Sequence, residues 1–209
     1  MTPKLEERAV VIALGGGTLA LEGIYLTGAG PDAGGAVIAA PHPLYGGSME
    51  SPVVNEIAYA CQRAGLASLC FNWRGVGASA GEPSGEAADA DADYAAAALH
   101  LEETVSGPLV AAGYSFGAAA ALRVGAQHPR VRRLLLVSPP PSLLVAAALE
   151  GFRGAVLMLT GEHDAIAPAR ALEDLAASLP WATLRVVADA DHFFMAGLGE
   201  IARAVGDWL

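Results

Sequence analysis

The sequence predicts an α/β protein: a mostly parallel central sheet of about eight strands, with helices on both faces. Two observations carry that reading. From residue 36 onward, short apolar runs alternate with helix-length segments, the order of parallel strands joined by crossovers. The runs themselves, such as VIAA, LLLV and VLML, show no polar alternation, as strands covered on both faces require.

Each element follows from a local signal. Ala9 to Leu14 and Leu19 to Leu26 read as an opening pair of strands joined by the turn Gly15 to Gly17. Ala36 to Ala40 is the third strand. Val53 to Ala64 is a helix stopped by Gly65, and Leu66 to Phe71 the fourth strand. Glu86 to Leu101 is a helix with apolar residues on one side and acids on the other. Leu109 to Ala112 is a strand that runs directly into the helix Phe116 to Gln127. Leu134 to Val137 and Ala155 to Thr160 are the sixth and seventh strands, with a short helix near Ser142 to Leu149 between them. Pro168 opens a helix to about Leu179, Thr183 to Val187 is the eighth strand, and a last helix ends near Trp208.

Composition narrows the function. The 209 residues show no break in character, and the only candidate linker, Ser79 to Gly85, is too short to separate domains. One domain, 1–209, is expected, large enough to bury roughly 70% of its unfolded surface. Hydrophobic residues make up 54% and charged residues 16%, which argues against disorder. The net charge of −10 repels phosphate backbones and anionic lipid, so a small-molecule partner is expected, with no nucleic acid and no membrane. The run Ala9 to Leu14, flanked by Lys4, Glu6, Glu7 and Arg8, is too short and its flank too acidic for a signal peptide or a span. A cytoplasmic protein follows. The two cysteines, Cys61 and Cys70, read as buried reduced thiols.

The strongest chemical signal is Gly113-Tyr114-Ser115-Phe116-Gly117, a G-x-S-x-G pentapeptide between an apolar strand and an alanine-rich helix. A serine on so tight a turn is raised above the sheet, and glycines flank it because side chains there would strike neighbouring backbone. Serine is a weak nucleophile without a base. Functional groups on such sheets gather beyond the C-terminal ends of strands, a test that His42, His163 and His192 pass and His100 and His128 fail. His192 also comes last in the chain, as the order Ser…Asp…His demands. The acid should follow a strand between the two. Asp164, in Gly161-Glu162-His163-Asp164, is the candidate, with Glu162 its local rival. An oxyanion needs two donors. One is the backbone N–H of Phe116. The other is expected from the loop Ala40 to Met49, where Pro43 has no N–H; Leu44 is the choice and Tyr45 the alternative. No metal and no cofactor are expected.

Two further features have structural readings. Arg74, after the fourth strand, is expected to hold neighbouring loops in place. Asp89, Asp91 and Asp93 alternate as in a calcium loop but lack its glycine and terminal glutamate, so a solvated helix start is expected.

These residues resemble the α/β-hydrolase superfamily over nearly the whole chain. The likeness is closer to a group of small bacterial serine hydrolases without a lid, through Pro41-His42-Pro43-Leu44-Tyr45-Gly46-Gly47 and Phe71-Asn72-Trp73-Arg74-Gly75-Val76-Gly77-Ala78-Ser79. His42-Pro43 replaces the commoner His-Gly of the superfamily. The resemblance implies an α/β-hydrolase fold and cleavage of small carboxylic esters, or thioesters, through an acyl-enzyme on Ser115, with His192 as base and Asp164 as orienting acid. The alternative is a non-catalytic binding member, against which the filled triad positions count. Ser115 and Asp164 are only 49 residues apart, which leaves no room for a lid.

Overall fold

The computed structural model describes residues 6–17, 19–145, 147–179 and 181–209; Lys4 lies outside them. Eight strands form one sheet: β1 (Glu7–Leu14), β2 (Leu19–Leu26), β3 (Gly35–Ala39), β4 (Ala67–Phe71), β5 (Leu109–Tyr114), β6 (Val131–Val137), β7 (Ala155–Gly161) and β8 (Ala182–Val187). Their order across the sheet is β1-β2-β4-β3-β5-β6-β7-β8. β2 is antiparallel to both β1 and β4; every other neighbouring pair is parallel.

The helices are α1 (Pro52–Arg63), α2 (Ala87–Glu102), α3 (Phe116–Gly125), α4 (Ala147–Glu150), α5 (Ala169–Ala177) and α6 (Leu198–Trp208). Their apolar faces sort onto the two sides of the sheet. Val53, Val54, Ile57 and Cys61 of α1 share one core with Ile201 and Val205 of α6. Tyr94 and Leu101 of α2, Ala118, Ala120 and Ala121 of α3 and Leu172 of α5 share the other. The fully buried strands β3, β4 and β5 lie between these layers, which is why their sequences carry no alternation. Tyr94 ties α2 to the sheet: its hydroxyl accepts the Ala112 N–H at 3.0 Å and lies 3.0 Å from the Val37 carbonyl.

Three expectations are corrected. First, the short helix near Ser142 to Leu149 is a 3-10 turn at Pro141–Leu143, an extended Leu144 and the four-residue α4. Three prolines at 139–141 remove donors and fix φ, so the chain turns once and extends before any helix starts. Among the described residues this connection holds no lid. Second, β5 continues two residues further, to Tyr114, and β6 begins at Val131. Third, the aspartates of α2 are ion-paired, and only Asp89 and Asp91 keep part of their surface in solvent. Asp93 is 1% exposed, and its carboxylate accepts from the Arg74 backbone N–H (2.9 Å) and guanidinium (2.7 Å). Asp89 also pairs with Arg74, and Asp91 with Arg123 of α3. Arg74 thus has its expected structural role, fastening the loop after β4 to α2.

Both cysteines are buried free thiols, and burial pushes their pKa up to about 12. Among the described residues, no helix is long and apolar enough to cross a membrane.

Candidate active site

The parallel strands deliver their following loops to one edge of the sheet, and the turn after β5 is the tightest of them. Ser115 sits there with φ 55° and ψ −117°, a strained conformation for a residue with a Cβ. Its N–H is anchored to the Val137 carbonyl of β6 at 2.8 Å. Both flanking glycines are sterically required. A Cβ on Gly113 would lie 2.3 Å from the Gly117 carbonyl, and one on Gly117 would lie 2.4 Å from the Ala40 carbonyl. The strand-to-helix turn closes only because neither residue has a side chain.

Ser115, His192 and Asp164 form one hydrogen-bonded line, from the ends of β5, β8 and β7. Ser115 Oγ is 3.0 Å from His192 Nε2, and His192 Nδ1 lies 3.0 and 2.9 Å from the two oxygens of Asp164. All three side chains are nearly buried. A carboxylate is an acceptor only, so Nδ1 carries the proton and Nε2 faces the serine hydroxyl as an acceptor. The line is braced from behind. Tyr114 donates its hydroxyl to the His192 carbonyl at 2.7 Å. The N–H groups of Ile166 and Ala167 donate to Asp164 Oδ1 at 2.9 and 2.7 Å. Thr160 donates to the Ala167 carbonyl at 2.6 Å, fixing the same turn.

Burial alone would raise the pKa of Asp164. Hydrogen bonds from His192 and the Ala167 N–H outweigh it and hold the carboxyl at about 2. Ser138 assists in the same sense, although its buried hydroxyl closes no hydrogen bond of regular geometry. The rival Glu162 faces elsewhere: it is exposed, and its carboxylate accepts the Asp189 N–H at 3.1 Å.

The two oxyanion candidates stand differently. Phe116 is the first residue of α3, and its N–H meets no acceptor among the described residues, as expected for a helix start. The Leu44 N–H is occupied: it donates to His42 Nδ1 at 3.2 Å. The alternative, Tyr45, is occupied too, with its N–H on the His42 carbonyl at 3.1 Å. The 3-10 turn Pro43–Tyr45 is capped by the side chain of the residue before it. Leu44 can therefore meet an oxyanion only by leaving His42 or sharing its proton.

Sequence reasoning passed over His42 after the strand-end test, yet it organises this loop. Its ring packs 4.5 Å from that of Phe116 and 4.7 Å from that of Tyr45. Burial lowers its pKa, which keeps Nδ1 available as an acceptor. His42→Ala should lower kcat by on the order of 10- to 100-fold, through a loop displaced from the nucleophile. His42→Asn should recover much of it, because an asparagine oxygen can cap the same turn. Kinetics on an ester would decide. An asparagine variant no better than the alanine one would rule out the Leu44 bond as the cause.

Comparison with known proteins agrees with this architecture. Residues 42–154 match the model of the family described as the alpha/beta hydrolase fold. The uncharacterised protein RP471 of Rickettsia prowazekii is 30% identical over 204 residues, covering 90% of this chain and 84% of that protein. Among solved structures, an alpha-beta serine hydrolase homologue from Coxiella burnetii superposes with a TM-score of 0.80 at 26% identity, covering 100% of this chain and 98% of the other. XC6422 from Xanthomonas campestris, a member of the serine hydrolases without a lid, does so with a TM-score of 0.80 at 26% identity, covering 98% and 95%. With its eight-stranded sheet, strained serine turn and family match, this chain belongs to the α/β-hydrolases.

Proposed function

We propose that this protein hydrolyses small carboxylic esters, and thioesters by the same route, through an acyl-enzyme on Ser115. The observation that carries the reading is the line Ser115–His192–Asp164 on a strained turn beside an unoccupied Phe116 N–H. His192 Nε2 takes the Ser115 proton as Oγ bonds to the carbonyl carbon. The carbonyl electron pair moves onto oxygen, where the Phe116 N–H stabilises it. The imidazolium, steadied by Asp164, then gives its proton to the leaving oxygen as the C–O bond breaks. Water repeats the sequence to release the acid and restore Ser115. A non-catalytic binding role is the less economical reading, since it leaves the strain at Ser115 without a purpose.

The acyl group should be short. A lid supplies most of the apolar surface that encloses a long chain, and among the described residues the β6–β7 connection forms no lid. Across a nitrophenyl ester series, kcat/KM should peak between acetate and butyrate, with no jump in rate at a lipid interface. A peak at dodecanoate or beyond would refute the short-acyl assignment. Absence of turnover on every ester and thioester would refute the hydrolase itself.

A further inference from the structure

Apolar exposure on this protein is concentrated at one place. Among the described residues, seven of the eleven exposed large hydrophobic side chains stand on the loops that leave β3, β6, β7 and β8 at the edge carrying Ser115. The most exposed pair on the loop that carries the base is Phe193 (66%) and Met195 (86%). They do not hang loosely. The residue between them, Phe194, is 2% exposed and sits at φ 51°, pinned into the core against Tyr114. Asp191 Oδ1 accepts the N–H groups of both Phe193 (3.0 Å) and Met195 (3.2 Å). A buried anchor and a carboxylate clamp therefore hold two apolar side chains outward. The Phe193 ring stands edge-on to the His192 imidazole at 5.5 Å.

Position beside His192 gives this platform a use. The proton that expels the leaving group comes from Nε2, so the leaving group must depart across the imidazole and its neighbours. Charge narrows its chemistry. The loops after β7 and β8 carry Glu162, Asp164, Asp189 and Asp191 and no lysine or arginine. On the loop after β4, Arg74 is already spent on Asp89 and Asp93. A polyanionic leaving group meets repulsion from these loops.

We infer that the leaving group of the natural substrate is an uncharged, apolar alcohol, phenol or thiol that packs on Phe193 and Met195. This rests on the hydrolase reading above and adds the leaving-group side of the substrate. It separates that substrate from thioesters of phosphate-bearing carriers.

Three acetates test it, because their alcohols differ little in intrinsic reactivity: ethyl, hexyl and 5-carboxypentyl acetate. The intact protein should show kcat/KM for hexyl acetate about tenfold or more above both others, the scale of burying part of a four-carbon extension. In Phe193→Ser with Met195→Ser, the hexyl-to-ethyl ratio should fall toward one. A hexyl-to-ethyl ratio near one in the unaltered protein, or carboxypentyl acetate matching hexyl acetate, would overturn the inference without any variant. An unchanged ratio in a folded double variant would also overturn it. Should no acetate be cleaved at all, the hydrolase reading itself fails, a distinguishable result.

Discussion

Ser115→Ala and His192→Ala should each reduce ester hydrolysis by on the order of 10³-fold or more, and the double variant should be scarcely worse than either single one. The two side chains are 3.0 Å apart, close enough to share one proton. Without the serine the imidazole has nothing to activate, and without the imidazole the hydroxyl is no better than water's. What remains in either variant is substrate positioning and the Phe116 N–H, which neither substitution touches. Single-turnover and steady-state rates for the two singles and the double give the comparison. Losses that multiply would mean that the two residues work independently and that the pairing is incidental. Near-normal turnover in Ser115→Ala would move the nucleophile elsewhere.

Asp164→Asn should cost a further large factor, on the order of 10³ to 10⁴ in kcat, because an amide neither fixes the tautomer nor steadies the imidazolium. Glu162→Gln, on the neighbouring loop position, should change kcat by less than about threefold. Its carboxylate serves Asp189 and lies outside the line. A larger loss from Glu162→Gln would reassign the acid. The pH profile follows from the same geometry. Asp164 is held at about 2, below its ordinary value, so it is ionised at every pH above that and protonates only as pH falls through it. The acid limb of kcat/KM should therefore gain no ionisation from this carboxylate, its slope staying at no more than one from neutral down to about pH 3. A limb of slope two in that range would show the carboxylate titrating with the base.

How much of this was legible in the sequence depends on how local each signal is. The strands and their covering helices could be read because each apolar run marks its own burial. The serine turn could be read because its two glycines answer a steric demand within five residues. Asp164 and His192 followed from chain order and strand ends alone. Pairing across elements was not legible. Asp93 looks like any acid near a helix start until Arg74 arrives from the loop after β4, 19 residues earlier in sequence. The sheet order, which places β2 against β4 instead of β3, is likewise a long-range choice. The competition for the second candidate oxyanion donor was missed for a different reason. Pro43 correctly excluded one N–H, but the competitor for Leu44 was the side chain two residues before it. A histidine ahead of a proline turn can cap that turn, so this signal was present and local. Nothing local in the run Phe193 to Met195 tells which side chain turns inward; only Phe194 is core, and Phe193 and Met195 are exposed.

The most direct measurement of the central claim is covalent labelling of the folded protein with a fluorophosphonate, followed by mass spectrometry of the peptide holding residues 113–117. An activated serine is phosphonylated on Oγ with loss of fluoride, while ordinary surface serines are not. The account predicts one adduct, on Ser115, formed at neutral pH, absent in Ser115→Ala and strongly slowed in His192→Ala. No adduct on Ser115 in the folded, unaltered protein, or an adduct at another serine that persists in Ser115→Ala, would contradict it.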